Sequence, residues 1–226
     1  MTIQIKICGL STPEAVDRAA DLDADMAGFI FFEKSPRHVT IETAANLAAR
    51  ARARGLQTVA VTVDMDDSGL DAIVASMKPD WLQLHGDESP ARAADVKARY
   101  GLPVMKAFAI RDASDLTRIE PYRGIADRFL FDAKPPKGSD LPGGNGVSFD
   151  WRHLATLDGG TSYMLSGGLT KDNVGEALDI SHAPGVDVSS GVESAPGIKD
   201  LGMMSDFVRA VRDADQAMTG KGRSQE

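Results

Sequence analysis

The only cysteine in the chain, Cys8, stands in the run Gln4-Ile5-Lys6-Ile7-Cys8-Gly9. A thiol is a base once ionised, and with an ordinary pKa near 8.5 a few per cent is thiolate at neutral pH. Other groups able to hold or move a proton sit at the ends of apolar runs. His85 follows Trp81-Leu82-Gln83-Leu84, Asp132 follows Phe129-Leu130-Phe131, and Asp187 lies in Gly185-Val186-Asp187-Val188. An acid and a base fixed on opposite sides of one molecule can move its protons in turn. Two glycine-bearing turns, Ser166-Gly167-Gly168-Leu169 and Ser189-Ser190-Gly191-Val192, suit an anion, because glycine lets successive N–H groups approach it unobstructed. Each feature alone has a plainer explanation. A lone strand cysteine packs a core, an aspartate caps a helix, and glycine makes a tight turn.

What separates these readings is the set of elements that must carry the residues. Short apolar runs near 3–8, 26–31, 57–63, 80–84, 103–108, 128–132, 162–165 and 185–189 alternate with helical patterns. The helical patterns lie near 12–23, 40–54, 67–77, 89–99, 112–121, 148–157, 171–180 and 200–215. Runs such as Thr58-Val59-Ala60-Val61 are apolar enough to be covered on both faces, as parallel strands are. Helix starts share a grammar: Ser11-Thr12-Pro13-Glu14 offers a hydroxyl cap, a first-turn proline and an early acid, and Ser68 and Ser89-Pro90 offer similar signals. A strand–helix order kept eight times predicts a single parallel (β/α)₈ TIM barrel with outer helices, spanning 1–215 and followed by a flexible tail over 216–226. An open doubly wound sheet is the alternative. In a barrel, chemistry sits at the C-terminal ends of strands. Cys8, His85, Asp132 and Asp187 all fall there, and the two glycine turns follow strands seven and eight, the usual place for phosphate.

Composition narrows the partners. Lys plus Arg number 25 against 33 Asp plus Glu, a formal charge of −8, which argues against nonspecific binding of nucleic acid. It leaves open a small anionic ligand held by local donors. No apolar run reaches the roughly 20 residues of a membrane span, and the N-terminus lacks the pattern of a secretory signal. A cytoplasmic protein, monomeric or homodimeric, is expected. His38, His153 and His182 are scattered, so no metal or other cofactor is expected. Asp64, Asp66 and Asp67 read as a solvated turn rather than a cation site. The stretch 133–146, with Lys134-Pro135-Pro136-Lys137-Gly138 and Gly143-Gly144-Asn145-Gly146, is either a lid over the mouth or an exposed crossover.

Lys6-Ile7-Cys8-Gly9-Leu10, Ser35-Pro36-Arg37, Gln83-Leu84-His85-Gly86, Phe131-Asp132-Ala133, Ser166-Gly167-Gly168-Leu169 and Asp187-Val188-Ser189-Ser190-Gly191-Val192-Glu193 occur in this order. Together they resemble the phosphoribosylanthranilate isomerase family of tryptophan biosynthesis, from residue 3 to about 212. The resemblance implies an Amadori rearrangement of N-(5-phosphoribosyl)anthranilate to 1-(2-carboxyphenylamino)-1-deoxyribulose 5-phosphate, without cofactor or metal. It implies Cys8 as general base, Asp132 as general acid and Arg37 as the clamp on the anthranilate carboxylate. It also places phosphate at Gly167, Gly168, Ser189, Ser190 and Gly191, with Asp187 near the ligand and His85 as a further contact.

The chemistry asks for such a pair. Protonation of the furanose ring oxygen opens the ring to an iminium, which acidifies the C2 proton. A base removes that proton, and the enolamine tautomerises to the ketone. Lys6 shares a strand face with Cys8 but lies about 6.6 Å along it, so local backbone donors rather than Lys6 are expected to assist the thiolate. A related isomerase of histidine biosynthesis would carry Asp in place of Cys8. Indole-3-glycerol-phosphate synthase would need a different Lys/Glu set, and a ribulose-phosphate epimerase would need metal ligands. A noncatalytic anion-binding barrel would tolerate loss of Cys8 and Asp132.

Overall fold

Alternation decides which way each strand's side chains point. In β1 (Gln4–Cys8), Ile5 and Ile7 join the large apolar layer under the helices, while Cys8 packs with Met26, Val59, Leu130 and Met164 inside the barrel. The same parity runs through β6 (Arg128–Ala133), where Phe129 and Phe131 face outward and Leu130 inward. Polar residues on the inward parity therefore meet one another: Lys6 and Cys8 of β1, Gln83 of β4 (Trp81–Leu84), Asp132 of β6 and Asp187 of β8 (Gly185–Val188).

The computed structural model describes residues 2–133, 143–144, 146 and 148–223. With β2 (Met26–Phe31), β3 (Gln57–Thr62), β5 (Val104–Ile110) and β7 (Tyr163–Leu165), the strands pair in chain order into a closed parallel barrel. Closure is made by β8 on β1, with Gln4 opposite Gly185 and Ile7 opposite Val188. That pairing rules out the open sheet. Lys134 to Gly138 and Asn145, part of the expected lid or crossover, lie outside the described residues.

Helix starts follow the capping grammar. Thr12 Oγ1 accepts from Ala15 N at 3.2 Å to begin α1 (Pro13–Asp21), and α2 spans Ile41–Ala53. Ser89 Oγ accepts from Arg92 N to begin α4 (Pro90–Tyr100). The cap of α3 (Asp67–Met77) is Asp66 rather than Ser68, whose hydroxyl donates to Asp66 instead. The neighbouring acids are also in structural use. Asp67 pairs with Arg92 and Arg99, and Asp64 accepts from Asp87 N.

The helix layer departs from expectation at four places. The fifth and sixth connections are 3₁₀ helices, Ala113–Tyr122 and Trp151–Thr156. In the first, Leu116, Ile119 and Tyr122 recur every three residues, the period of a 3₁₀ turn, and Pro121 withholds an amide from any α continuation. The seventh connection is helical only over α5 (Val174–Ser181), because Asn173 Oδ1 accepts from Thr170 N and its amide donates to Gly168 O. The last helix, α6, runs Leu201–Arg223, beyond the expected end near 215. Its buried stripe of Met204, Phe207, Val208 and Val211 continues through Ala214 and Met218 at helical spacing. Between β8 and α6 a 3₁₀ turn, Ser190–Val192, leads into a small antiparallel pair, Glu193–Ala195 with Ile198–Lys199.

Candidate active site

Every residue given a catalytic or binding role from the sequence lines one open cleft at the C-terminal mouth of the barrel. Cys8 and Asp132 both face it, from strands separated around the barrel by β7 and β8.

Cys8 is 5% exposed. Two residues below it on the same face, Lys6 is fully buried and bonds Asp187 Oδ1 at 2.7 Å. The Lys6 stem and the Cys8 sulfur both pack against Gly28, which brings the ammonium close enough to act on the thiol electrostatically. The expectation that Lys6 stands too far away is thus corrected: its four-carbon stem spans the distance between neighbours on one strand face. Burial pushes the Cys8 thiol above its ordinary value, the Lys6 charge pulls it down, Asp187 adds to the upward push, and Lys199 opposes it. Burial alone would lower Lys6, but Asp187 and Cys8 outweigh burial and hold Lys6 above its ordinary value. Cys8 is thus a buried thiol above an ammonium–carboxylate pair whose positive end opposes the effect of burial. Both oxygens of Asp187 are engaged, the second by Ser166 Oγ at 3.3 Å.

Across the mouth, Asp132 Oδ1 accepts from Ala133 N at 2.8 Å, while Oδ2 lies 3.7 Å from His85 Nε2. His85 is oriented from behind, its Nδ1 being 2.8 Å from Gln83 Nε2. A donor from Gln83 leaves the neutral ring's proton on Nε2, the nitrogen that faces Asp132. The turn bearing His85 is pinned by the buried Lys106, which bonds Gly86 O at 2.7 Å and pairs with Glu88 at 3.1 Å. Glu88 in turn accepts from Gly86 N.

Arg37 reaches the mouth from the loop between β2 and α2 and is 4% exposed. Gly9, at φ +74°, lets the arginine stem pass over the end of β1, where any Cβ would strike it. Its Nε and Nη2 donate to the two oxygens of Glu193 at 2.8 and 2.9 Å. Lys199 bonds the same carboxylate at 2.6 Å and also Ser189 O at 2.9 Å.

The two glycine turns also line the cavity. Gly191 is packed so tightly on Leu169 O that no side chain fits, which binds the strand-eight turn to the strand-seven turn. Ser189 Oγ donates to Cys8 O at 3.1 Å and ties the same turn to β1. Gly167 and Gly168 line the same cavity, Gly167 lying against Asp132 and Ala133.

Sequence reasoning weighed Lys6 and set it aside, and it passed over Gln83, Glu193 and Lys199. Parity was the signal for Lys6 and Gln83: each is a polar residue two positions before a residue already singled out. Glu193 lay within a quoted motif, but nothing local announced that the carboxylate would turn back to Arg37.

A family profile for N-(5′-phosphoribosyl)anthranilate (PRA) isomerase matches residues 5–210. A PRA isomerase of Brucella canis is 62% identical over 215 residues, 95% of this chain and 96% of the relative. Among solved structures, a PRA isomerase of Thermotoga maritima superposes with a TM-score of 0.84 at 29% identity, covering 94% of this chain and all of the other. A PRA isomerase in complex with reduced 1-(o-carboxyphenylamino)-1-deoxyribulose 5-phosphate superposes at 0.79 with 27% identity, again over 94% of this chain and the whole of the other. By sequence and by fold, the chain belongs to the PRA isomerases, which carry out the Amadori rearrangement of N-(5′-phosphoribosyl)anthranilate.

Proposed function

We propose that Cys8 and Asp132 divide the two proton transfers of this rearrangement. The observation that carries the proposal is their common exposure to one cavity, with Arg37 and the two glycine turns also on its wall. Asp132 gives its proton to the furanose ring oxygen as the C1–O bond breaks, and the anilino nitrogen supplies the electron pair that forms the iminium. Cys8 then takes the C2 proton, whose electrons become the C1–C2 double bond of the enolamine. Protonation at C1 and loss of the C2 hydroxyl proton give the ketone. The reaction is an isomerisation and calls for no external oxidant.

Lys6 stabilises the developing thiolate, and Asp187 keeps Lys6 charged. Remaining lone pairs on Asp187 can accept a hydroxyl of the opened sugar. His85 holds the Asp132 carboxyl toward the substrate. Arg37 meets the anthranilate carboxylate, for which a planar guanidinium has matched donors. The turns at Gly167-Gly168 and Ser189-Ser190-Gly191 hold the phosphate through backbone N–H groups. A free thiol as base suits a reducing compartment, which supports a cytoplasmic location. The quaternary state is monomer or homodimer, which sedimentation distinguishes. The roles are tested by following the loss of anthranilate-type fluorescence with fresh substrate. Cys8→Ser and Asp132→Asn should each abolish most of the acceleration seen with the unmodified enzyme, and full activity in either variant removes that residue from its role.

A further inference from the structure

Arg37 is an odd carboxylate clamp, because it already holds a carboxylate. Glu193 engages Nε and Nη2 side-on, and both side chains are at most 5% exposed. An arginine so paired is electrically cancelled and would have little attraction for a second anion. The structure removes the difficulty with a third charge. Lys199, whose side chain is 2% exposed, bonds Glu193 Oε1, so two cations share one carboxylate. Gly197 N donates to the same group at 3.2 Å. Burial pulls Lys199 below its ordinary value while Glu193 opposes that pull, and with both cations protonated the cluster carries one net positive charge. The side-on pairing also dictates which edge of the guanidinium is presented. Nη1 lies against Gly144 on the cavity wall, and among the described residues it has no hydrogen-bond acceptor.

We infer that Glu193 and Lys199 are positioning residues for substrate recognition: Glu193 sets the rotation of the Arg37 guanidinium, and Lys199 restores the charge that Glu193 would cancel. The inference rests on the reading of Arg37 as the carboxylate clamp. It reaches further through Ser189, which accepts from Lys199 at both its carbonyl and its hydroxyl. One lysine thereby joins the carboxylate end of the cavity to the phosphate turn.

Binding of two stable analogues isolates the effect: reduced 1-(o-carboxyphenylamino)-1-deoxyribulose 5-phosphate, and its counterpart lacking the ring carboxylate. Glu193→Gln leaves two cations around an amide and risks misfolding, so the charge-balanced double variant Glu193→Gln/Lys199→Met is measured beside it. Either variant should weaken the carboxylate-bearing analogue about tenfold or more, the scale of one misdirected charge-assisted pair. The decarboxylated analogue should change by less than about twofold. Arg37→Met should show the same selectivity. If Arg37→Met is selective and the Glu193 variants are not, the positioning inference fails while the clamp stands. Equal weakening of both analogues by the Glu193 variants signals general damage to the site and also overturns the inference. If Arg37→Met itself shows no selectivity, the clamp reading falls and the inference falls with it.

Discussion

Lys6 and Asp187 form an ion pair of 2.7 Å that is almost wholly buried, on the inward face of the barrel just below Cys8. A buried pair of this kind is a doubtful source of stability, because desolvation consumes most of the Coulombic gain. Its value here is to keep a positive charge close to a thiol that burial would otherwise hold neutral.

Replacing Lys6 by Met should therefore raise the Cys8 thiol further. As the proposed base, Cys8 would act deprotonated, so the limb of kcat/KM that rises with pH should move to higher pH. Each unit lowers the thiolate fraction at neutral pH about tenfold. We expect at least about a tenfold loss at pH 7, recovered as pH rises. The single variant leaves Asp187 unpaired, at a cost of about 3–5 kcal/mol in stability. Lys6→Met/Asp187→Asn removes both charges and should show a smaller upward shift, since Asp187 pushes the thiol in the opposite sense to Lys6. An unmoved pH profile in the double variant would separate Lys6 from the chemistry.

Asp132→Asn keeps the shape of the side chain and removes its proton. It should lower kcat by about 10²–10⁴-fold with little change in KM. His85→Ala should lower kcat less, by roughly ten- to a hundredfold, because it loosens the proposed acid without removing it. Steady-state kinetics decide. A His85 effect larger than that of Asp132 would reverse the two assignments.

Glu193 gives a second dependence on pH. Burial raises its carboxyl, but Arg37 and Lys199 outweigh burial and hold it below its ordinary value of 4.5. A carboxylate depressed on folding stabilises the fold above its unfolded pKa and loses that contribution as pH falls through its folded one. The difference in unfolding free energy between the unmodified chain and Glu193→Gln should be constant above about pH 5.5 and shrink below about pH 4.5. Urea titrations across that range check it, and a difference that grows on acidification contradicts the assignment.

Gly191→Ala forces a methyl group into Leu169 O. Overpacking of this kind costs about 1–3 kcal/mol. A domain of this size should then lose about 2–4 °C in Tm for each kcal/mol. Because the displaced turn lies at the proposed phosphate end, competition by inorganic phosphate should weaken as well. Unchanged competition would move the phosphate elsewhere.

Much of this architecture is legible in the chain. The strand runs, the Thr12 and Ser89 caps and the closing glycine turns are local signals, and parity from Ile5 to Cys8 sends the thiol inward. What escapes is set by partners distant in sequence. Lys6 meets Asp187 across the closing seam of the barrel, and Arg37 meets Glu193 only because a small strand pair after β8 folds back over the mouth. The 3₁₀ connections escape for a different reason. Leu116 and Ile119 fit helical spacings of three or four alike, and only the turn begun at Asp112 and the proline at 121 select the tighter one.

The central claim, that Cys8 is the base, is tested most directly by the pH profile of kcat/KM for Cys8→Asp beside the unmodified enzyme. A carboxylate ionises far below a buried thiol, so the rising limb set by the thiol should vanish and any remaining activity should rise at distinctly lower pH. The same limb at the same pH, with comparable activity, would show that some other group removes the C2 proton.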